Sequence, residues 1–289
     1  MVFAKYKESV TIFQPEVLLA KAARLLTFLH ISDTHISSDP AYHPPWIPES
    51  VAHPNRGTEL LLDAIKALPF AFDFILHTGD VCADPHEADY FCARELLLQF
   101  PGPMYLLPGN HDSATHMEAI LHDGQALHVL RDAHVEVSGY HLVTLDTNGP
   151  GDAHAPCLPD EQIAWFAQTL AAVGDQPIIA AMHHLPLATG VPWLDEHMRI
   201  QNGDRIQRIL RGRRDKLAGV FHGHIHQQTE AHKDGVLYIC CPSTWSNLTG
   251  YPDMREGIAD PLTAGGFNLV MLSGNRSFVR RYNLPRLTR

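Results

Sequence analysis

Five short blocks carry residue types that bind metal ions and move protons: Asp33-Thr34-His35, Gly79-Asp80, Gly109-Asn110-His111-Asp112, His183-His184 and Gly223-His224-Ile225-His226. Imidazole nitrogen mixed with carboxylate and amide oxygen suits Mn, Fe, Zn or Co. Two such ions held roughly 3.5–4 Å apart form a hydrolytic centre, and a carboxylate bridges them well. Such a pair lowers the pKa of a bound water toward neutrality and supplies hydroxide for in-line attack on phosphorus. It also binds a nonbridging phosphoryl oxygen and stabilises the charge that develops there. Asp33 and His35, like His224 and His226, are spaced i, i+2. On an extended strand that spacing points both side chains at one ion. Gly79, Gly109 and Gly223 each stand just before a candidate ligand, where a missing Cβ permits a tight turn.

These blocks need a scaffold that brings them together. Leu26–Ser32 is an apolar run of β-favouring residues that ends at the first block. Thr58–Leu68 has helical spacing. Asp73–Thr78 reads as a strand ending at the second block, Glu87–Gln99 as a helix, and Met104–Leu107 as a strand ending at the third. His141–Asp146 is the next strand and Asp160–Ala172 the next helix, with Pro159 at its start. Pro177–Met182 runs into His183, 185–203 reads as loop, and Ile206–Leu210 as helix. Leu217–Phe221 runs into the last block. Strands over Val236–Cys240, Phe267–Leu272 and Phe278–Tyr282 close the chain. Strand–helix alternation implies crossover units. In open sheets of that kind ligands bind beyond the carboxyl ends of the strands, which is where all five blocks fall.

The chain has 289 residues, 45% of them hydrophobic, enough for one large core. The expected organisation is an extension over residues 1–24, with a short helix over Val17–Leu26, followed by a single domain over 25–289. Net charge is −10, which disfavours long nucleic acid as a partner but not a small anion bound through cations. Five cysteines without a CxxC spacing point to a reducing compartment. Neither a signal peptide nor a membrane-spanning apolar run is evident. A cytoplasmic protein without membrane attachment is expected, with homo-oligomerisation left open.

The ordered set of five blocks, each at a strand end, resembles the calcineurin-like metallophosphoesterase superfamily from about residue 26 to 240. The resemblance implies an α/β fold: a metallophosphoesterase-type β-sandwich of two mixed sheets flanked by helices (αββα). It also implies a ligand set, with Asp33, His35 and His226 on one divalent transition-metal ion, Asn110, His183 and His224 on a second, and Asp80 between them. With a bridging hydroxide, that shell carries about one positive charge, matched to the single negative charge of a phosphodiester. His111 would protonate the leaving alkoxide or stabilise charge, and Asp112 would orient it. The blocks HISDTH (30–35), LPGNHD (107–112), FHGHIH (221–226) and CPST (241–244) are most similar to those of the cyclic-nucleotide phosphodiesterase and glycerophosphodiesterase group. Serine/threonine phosphatases have Arg where Pro108 stands, and purple acid phosphatases have a tyrosine ligand where Ala83 stands.

Other residues are less decided. His30 and His77 precede their blocks inside strands and are expected in the core. His184 and His222 fit contact with the site as well as plain packing. His43, Trp46 and His53, with Trp193, either wall a pocket or pack within loops. Cys240 and Cys241 are expected as buried small residues. The leading function is hydrolysis of a small phosphodiester, such as 3′,5′-cyclic AMP or a glycerophosphodiester. A broad phosphomonoesterase is the enzymatic alternative. A non-catalytic scaffold on the same fold is disfavoured because all seven ligands are present.

Overall fold

The computed structural model describes residues 25–260 and 262–287. The expected extension over 1–24 lies outside them. In chain order the elements are β1 (Leu26–Ile31), α1 (Pro54–Lys66), β2 (Phe74–His77), α2 (Glu87–Leu97) and β3 (Met104–Leu106). A short helical segment over 114–121 leads to β4 (Leu127–Val129), β5 (Ala133–Val137) and β6 (Tyr140–Leu145). Next come α3 (Asp160–Ala172), β7 (Ile178–Met182), α4 (Pro192–His197), α5 (Gly203–Gly212) and β8 (Leu217–His222). The chain closes with β9 (Glu230–Lys233), β10 (Val236–Cys240), β11 (Asn247–Leu248), β12 (Ala259–Asp260), β13 (Gly266–Ser273) and β14 (Arg276–Asn283).

Two six-stranded sheets carry the fold, in the orders β14-β13-β1-β2-β3-β4 and β5-β6-β7-β8-β10-β9. In the first, β1 to β4 run parallel, β13 pairs antiparallel with β1, and β14 pairs antiparallel with β13. In the second, β6, β7, β8 and β10 run parallel, with β5 and β9 antiparallel at the edges. The sheets face each other across a layer that includes Phe28, Phe74, Leu142, Ile179, Phe221 and Ile239. Phe28 stacks on Phe74 at 4.8 Å and meets Phe221 edge-on at 5.2 Å, geometries that aromatic quadrupoles favour. Residues of α1 and α2 pack on the outer face of the first sheet, and those of α3 and α5 on that of the second. The expected αββα sandwich is the fold observed.

The parallel strands are apolar throughout because both faces are covered. That continuity is why β1, β2, β7 and β8 are legible as buried runs. Helix α3 begins and ends where its sequence predicts, with Asp160 and Glu161 in its first turn beside the positive end of the dipole. Helix α1 starts four residues earlier than its apolar spacing suggests. Pro54 occupies its first turn, and the His53 ring accepts a hydrogen bond from the Asn55 amide, a cap outside the usual Ser, Thr, Asp and Asn set. Within the loop expected over 185–203, Pro192 opens the short helix α4. Strands β4, β5 and β9 are additions to the sequence reading. They are short and half-exposed, and their pairing partners define them more than their composition does.

His30 and His77 lie in the core as expected. No helix among the described residues is long and apolar enough to cross a membrane. Phe28→Ala empties the middle of the inter-sheet layer and is expected to cost about 3–5 kcal/mol of stability. Urea unfolding followed by circular dichroism measures this; a loss below about 1 kcal/mol would mean the layer is not the main core.

Candidate metal centre

The five blocks meet at one end of the sandwich. Strand β1 stops at Ile31 and β8 at His222, so Asp33, His35, His224 and His226 lie past the strand ends. Their convergence therefore does not come from strand alternation, which is a correction to the i, i+2 argument. Asp33 (φ 54°), His35 (φ 47°), Asp80 (φ 53°), His224 (φ 69°) and His226 (φ 49°) all occupy the left-handed region. That region costs a non-glycine residue about 1–2 kcal/mol, and such strain gathers at functional sites.

Backbone hydrogen bonds between the loops hold this geometry. The amides of Asp33, His35 and Ile36 donate to the carbonyls of Gly79, Asp80 and Val81 at 2.9, 3.1 and 2.9 Å. Thr34 Oγ1 donates to the Val81 carbonyl at 2.9 Å and lies 3.0 Å from His77 Nε2. The third block is tied in through Asp112. Its carboxylate accepts the amides of Val81, Cys82 and Gly109 at 3.0, 3.0 and 2.9 Å. Gly223 permits the closest approach, because a Cβ there would fall 1.9 Å from Ser32 Oγ and 2.5 Å from Asp33 Oδ2.

The donor atoms face one another in two groups. In the first, His35 Nε2 lies 3.0 Å from His226 Nε2, His226 Nε2 lies 3.4 Å from Asp33 Oδ1, and His35 Nε2 lies 3.8 Å from Asp80 Oδ2. In the second, His183 Nε2 lies 3.3 Å from Asp80 Oδ2 and 3.1 Å from Asn110 Oδ1. Asp80 Oδ2 is thus within reach of both groups. The rings are aimed by carbonyls, which only accept. His183 Nδ1–H donates to Thr78 at 2.8 Å, His226 Nδ1–H to Ser246 at 2.7 Å, and His224 Nε2–H to His154 at 3.0 Å. Each bond fixes a proton on one nitrogen and leaves the other as donor atom. With those nitrogens fixed, the buried Nε2 and carboxylate or amide oxygen atoms that crowd together at 3.0–3.8 Å form a donor set that fits a cation.

His184 reaches the second group of potential ligands, beside His183 and His224. Both its nitrogens are engaged, however, Nδ1 by Thr147 Oγ1 at 2.7 Å and Nε2 by the Ala153 carbonyl at 2.9 Å. It is a brace under the neighbouring loop. His222 is buried, and burial pushes its pKa down to about 4. His111 Nδ1–H donates to the Ala83 carbonyl at 2.8 Å, which presents Nε2 to the cleft. Ala83, not Asp112, orients that ring; Asp112 secures the loops instead. Burial and the charge of Asp80 push the Asp112 carboxyl up to about 6 against its three amide donors.

Charges within the cluster are strongly paired. Burial opposes ionisation of Asp80, yet His183 and His111 hold its carboxyl well below the usual range. Burial likewise opposes ionisation of Asp33, and His226 outweighs it. Burial disfavours a proton on His183, but Asp80 and Asp33 raise its pKa to about 9; His226 is raised by Asp33 in the same way. Burial and neighbouring imidazoles lower His35 and His224 well below their ordinary value. Asp80 and Asp33 thus each favour the protonated form of the imidazole that faces them.

A cleft of about 280 Å³ opens over the cluster. His35, Asp80, Asn110, His111, His224 and His226 form its floor, and its walls include Trp46, His154, Trp193, Met198 and Leu248. Trp46 and Trp193 are thus pocket residues. His43 and His53 bond to loop carbonyls of Pro48 and Asp39. Cys240 and Cys241 are buried, and all five cysteines are unpaired thiols. His154 and Ser246 escaped the sequence reading because they aim ligands with carbonyl oxygens, which have no residue-type signature.

Residues 26–228 match the sequence profile of the calcineurin-like phosphoesterases, and the chain belongs to that family. Its relatives are narrower in kind. It is 29% identical over 228 residues, 78% of either chain, to the 3′,5′-cyclic adenosine monophosphate phosphodiesterase CpdA of Escherichia coli. It is 30% identical over 222 residues, 74% of this chain and 76% of the relative, to the glycerophosphodiester phosphodiesterase GpdQ of Enterobacter lignolyticus. Among solved structures, a dimetal phosphatase from Danio rerio shares the fold with a TM-score of 0.58, over 89% of this chain and 99% of that one, at 14% identity.

With its pKa raised to about 9, His183 holds a second proton at neutral pH that a cation at Nε2 displaces. Loading Mn²⁺ or Zn²⁺ at pH 7.5 is expected to release about one proton per chain from it. Calorimetric titration in buffers of different ionisation enthalpy gives the number; no release would contradict the charge pairing.

Proposed function

We propose that the chain is a dinuclear-metal phosphodiesterase acting on small phosphodiesters. It is a metal-dependent phosphoric diester hydrolase, with Asp33, His35, Asp80 and His226 holding one ion and Asp80, Asn110, His183 and His224 the other. The composition of the cleft carries this reading. Its walls are aromatic and apolar, and no Lys or Arg is among the described residues that line it. A dianionic monoester favours a second cationic clamp, whereas a monoanionic diester is matched by the floor alone. The diesterase names of the two curated relatives support the same choice.

Divalent ions held by these residues would supply Lewis-acid activation of water and of the phosphoryl group. The protein does the rest. Asp80 fixes the spacing of the two donor groups by offering one oxygen to both. The Thr78, Ser246 and His154 carbonyls keep the ligating rings in one tautomer and orientation. His111, fixed through Nδ1–H, holds Nε2 beside the floor, where the imidazolium form, with a proton on each nitrogen, can give its Nε2 proton to a leaving alkoxide and return to the neutral ring. The apolar walls exclude water from the substrate's organic part. Five unpaired thiols fit a cytoplasmic site of action.

Asp80→Ala removes a donor from both groups and is expected to lower diester hydrolysis by at least about 10²–10³-fold; near-wild-type turnover would refute the shared-ligand role. His111→Ala is expected to lose about 10²–10⁴-fold on an alkyl diester and far less on a nitrophenyl diester, whose leaving group needs no proton. An equal loss on both would remove the proton-donor role. On a matched diester and monoester, the metal-loaded enzyme is expected to favour the diester in kcat/KM; a preference for the monoester would overturn the diesterase reading.

A further inference from the structure

The two sides of the cleft differ in chemistry. Its floor is the donor cluster. Away from the floor, the lining residues are His154, Trp46, Trp193, Met198, Leu248, Gly257 and Ala259. None of these side chains carries a carboxylate, amide or hydroxyl. A glycerol-based leaving group brings several hydroxyls, and the wall offers them only the His154 imidazole and the indole N–H groups as side-chain partners. Polar groups desolvated without partners are costly.

The two indoles are held in place from behind. Trp46 is 45% exposed although it sits beside a buried site. Its ring leans on Trp245 at 5.8 Å, and Trp245 is also flanked by Tyr42 at 5.9 Å and by His35 at 5.7 Å. Trp245 is buried and donates its indole N–H to the Ala52 carbonyl at 2.9 Å. A ring of Trp46's size left so open, on a support this rigid, is presented rather than packed. Trp193 lies over Gly257, where a Cβ would come within 2.5 Å of its Cζ2, and its amide donates to the Met254 carbonyl at 3.0 Å. The two therefore come from separate segments, the loop before α1 and helix α4, and reach the same cleft. Bases stack on aromatic side chains whatever their hydrogen-bonding edge, because every base offers a π-face.

We propose that Trp46 and Trp193 form an aromatic subsite for the planar base of a nucleotide, which makes small nucleotide diesters, cyclic ones included, the substrate class rather than glycerol-based diesters. This assignment rests on the phosphodiesterase reading of the floor. Trp245 is a positioning residue, since it does not line the cleft itself and backs two residues that do, Trp46 and His35. The volume of about 280 Å³ is at the small end for ligand pockets and suits one nucleotide rather than a chain of them.

The test compares kcat/KM on 3′,5′-cyclic AMP with that on glycerophosphoethanolamine for wild type, Trp46→Ala, Trp193→Ala and the Phe variant at each position. Wild type is expected to favour the nucleotide. Each Ala substitution is expected to lower the nucleotide-to-glycerol ratio about 5- to 100-fold, chiefly through KM, and Phe is expected to restore most of it. In parallel, adenosine monophosphate is expected to quench wild-type indole fluorescence, with the quenching reduced in both Ala variants. An unchanged ratio in all variants, or quenching unaffected by either substitution, overturns the subsite and leaves the diesterase reading intact. Hydrolysis of neither diester by metal-loaded wild type defeats the diesterase reading, and the fluorescence titration then decides the subsite by itself.

Discussion

Two buried carboxylates a few ångströms apart constrain everything else in this molecule. Asp33 and Asp80 are both within a few per cent of full burial, and like charges so placed repel strongly in a medium of low dielectric. The protein compensates by surrounding them with imidazoles whose protons can be exchanged for cations. Asp80 and Asp33 raise the pKa of His183 and His226 in turn, so carboxylate and imidazole stabilise each other's charged forms. The left-handed backbone at five ligands is part of the same design. It turns side chains from separate loops toward one point, and loop-to-loop amide bonds over-determine that geometry. The strain is a local cost of about 1–2 kcal/mol per residue, small beside the stabilisation offered by a sandwich whose two sheets and helices bury three apolar layers.

Much of this was legible in the sequence, for identifiable reasons. The parallel strands are continuous apolar runs because both faces are covered, and each run ends where polar residues begin. The order of Asp, His and Asn at those ends was therefore readable as one constellation. What escaped was set by tertiary contact. The i, i+2 spacing of Asp33 and His35 suggested an extended strand, but their amides pair with Gly79 and Asp80, which turns the chain left-handed instead. Adjacency suggested that Asp112 holds His111; the carboxylate instead turns back to the amides of Val81, Cys82 and Gly109. Sequence neighbours share a backbone, not a direction, and a carbonyl such as that of Ala83 or His154 has no signature in the one-letter code. Strands β4 and β9 were missed for a related reason, being too short to declare themselves without partners.

The cleft combines a floor of His, Asp and Asn donors with walls that are mostly aromatic and apolar. The floor determines that phosphorus is attacked and is indifferent to what phosphorus carries. The walls determine what fits, and they are built from segments with little secondary structure: the loop after β1, the short helix α4 and the stretch around β11 and β12. That division follows from physics. Ligand positions tolerate errors of tenths of an ångström and require rigid strand ends, while organic groups are recognised by shape and apolar contact, which loops supply.

Asp80 is proposed to organise two cations, both of them needed for catalysis. Metal content per chain, measured by elemental analysis alongside the diesterase rate during stepwise reconstitution of stripped protein, tests it most directly. The account requires the rate to rise with the second equivalent and to level off at two ions per chain. Full activity reached at one ion per chain would contradict it.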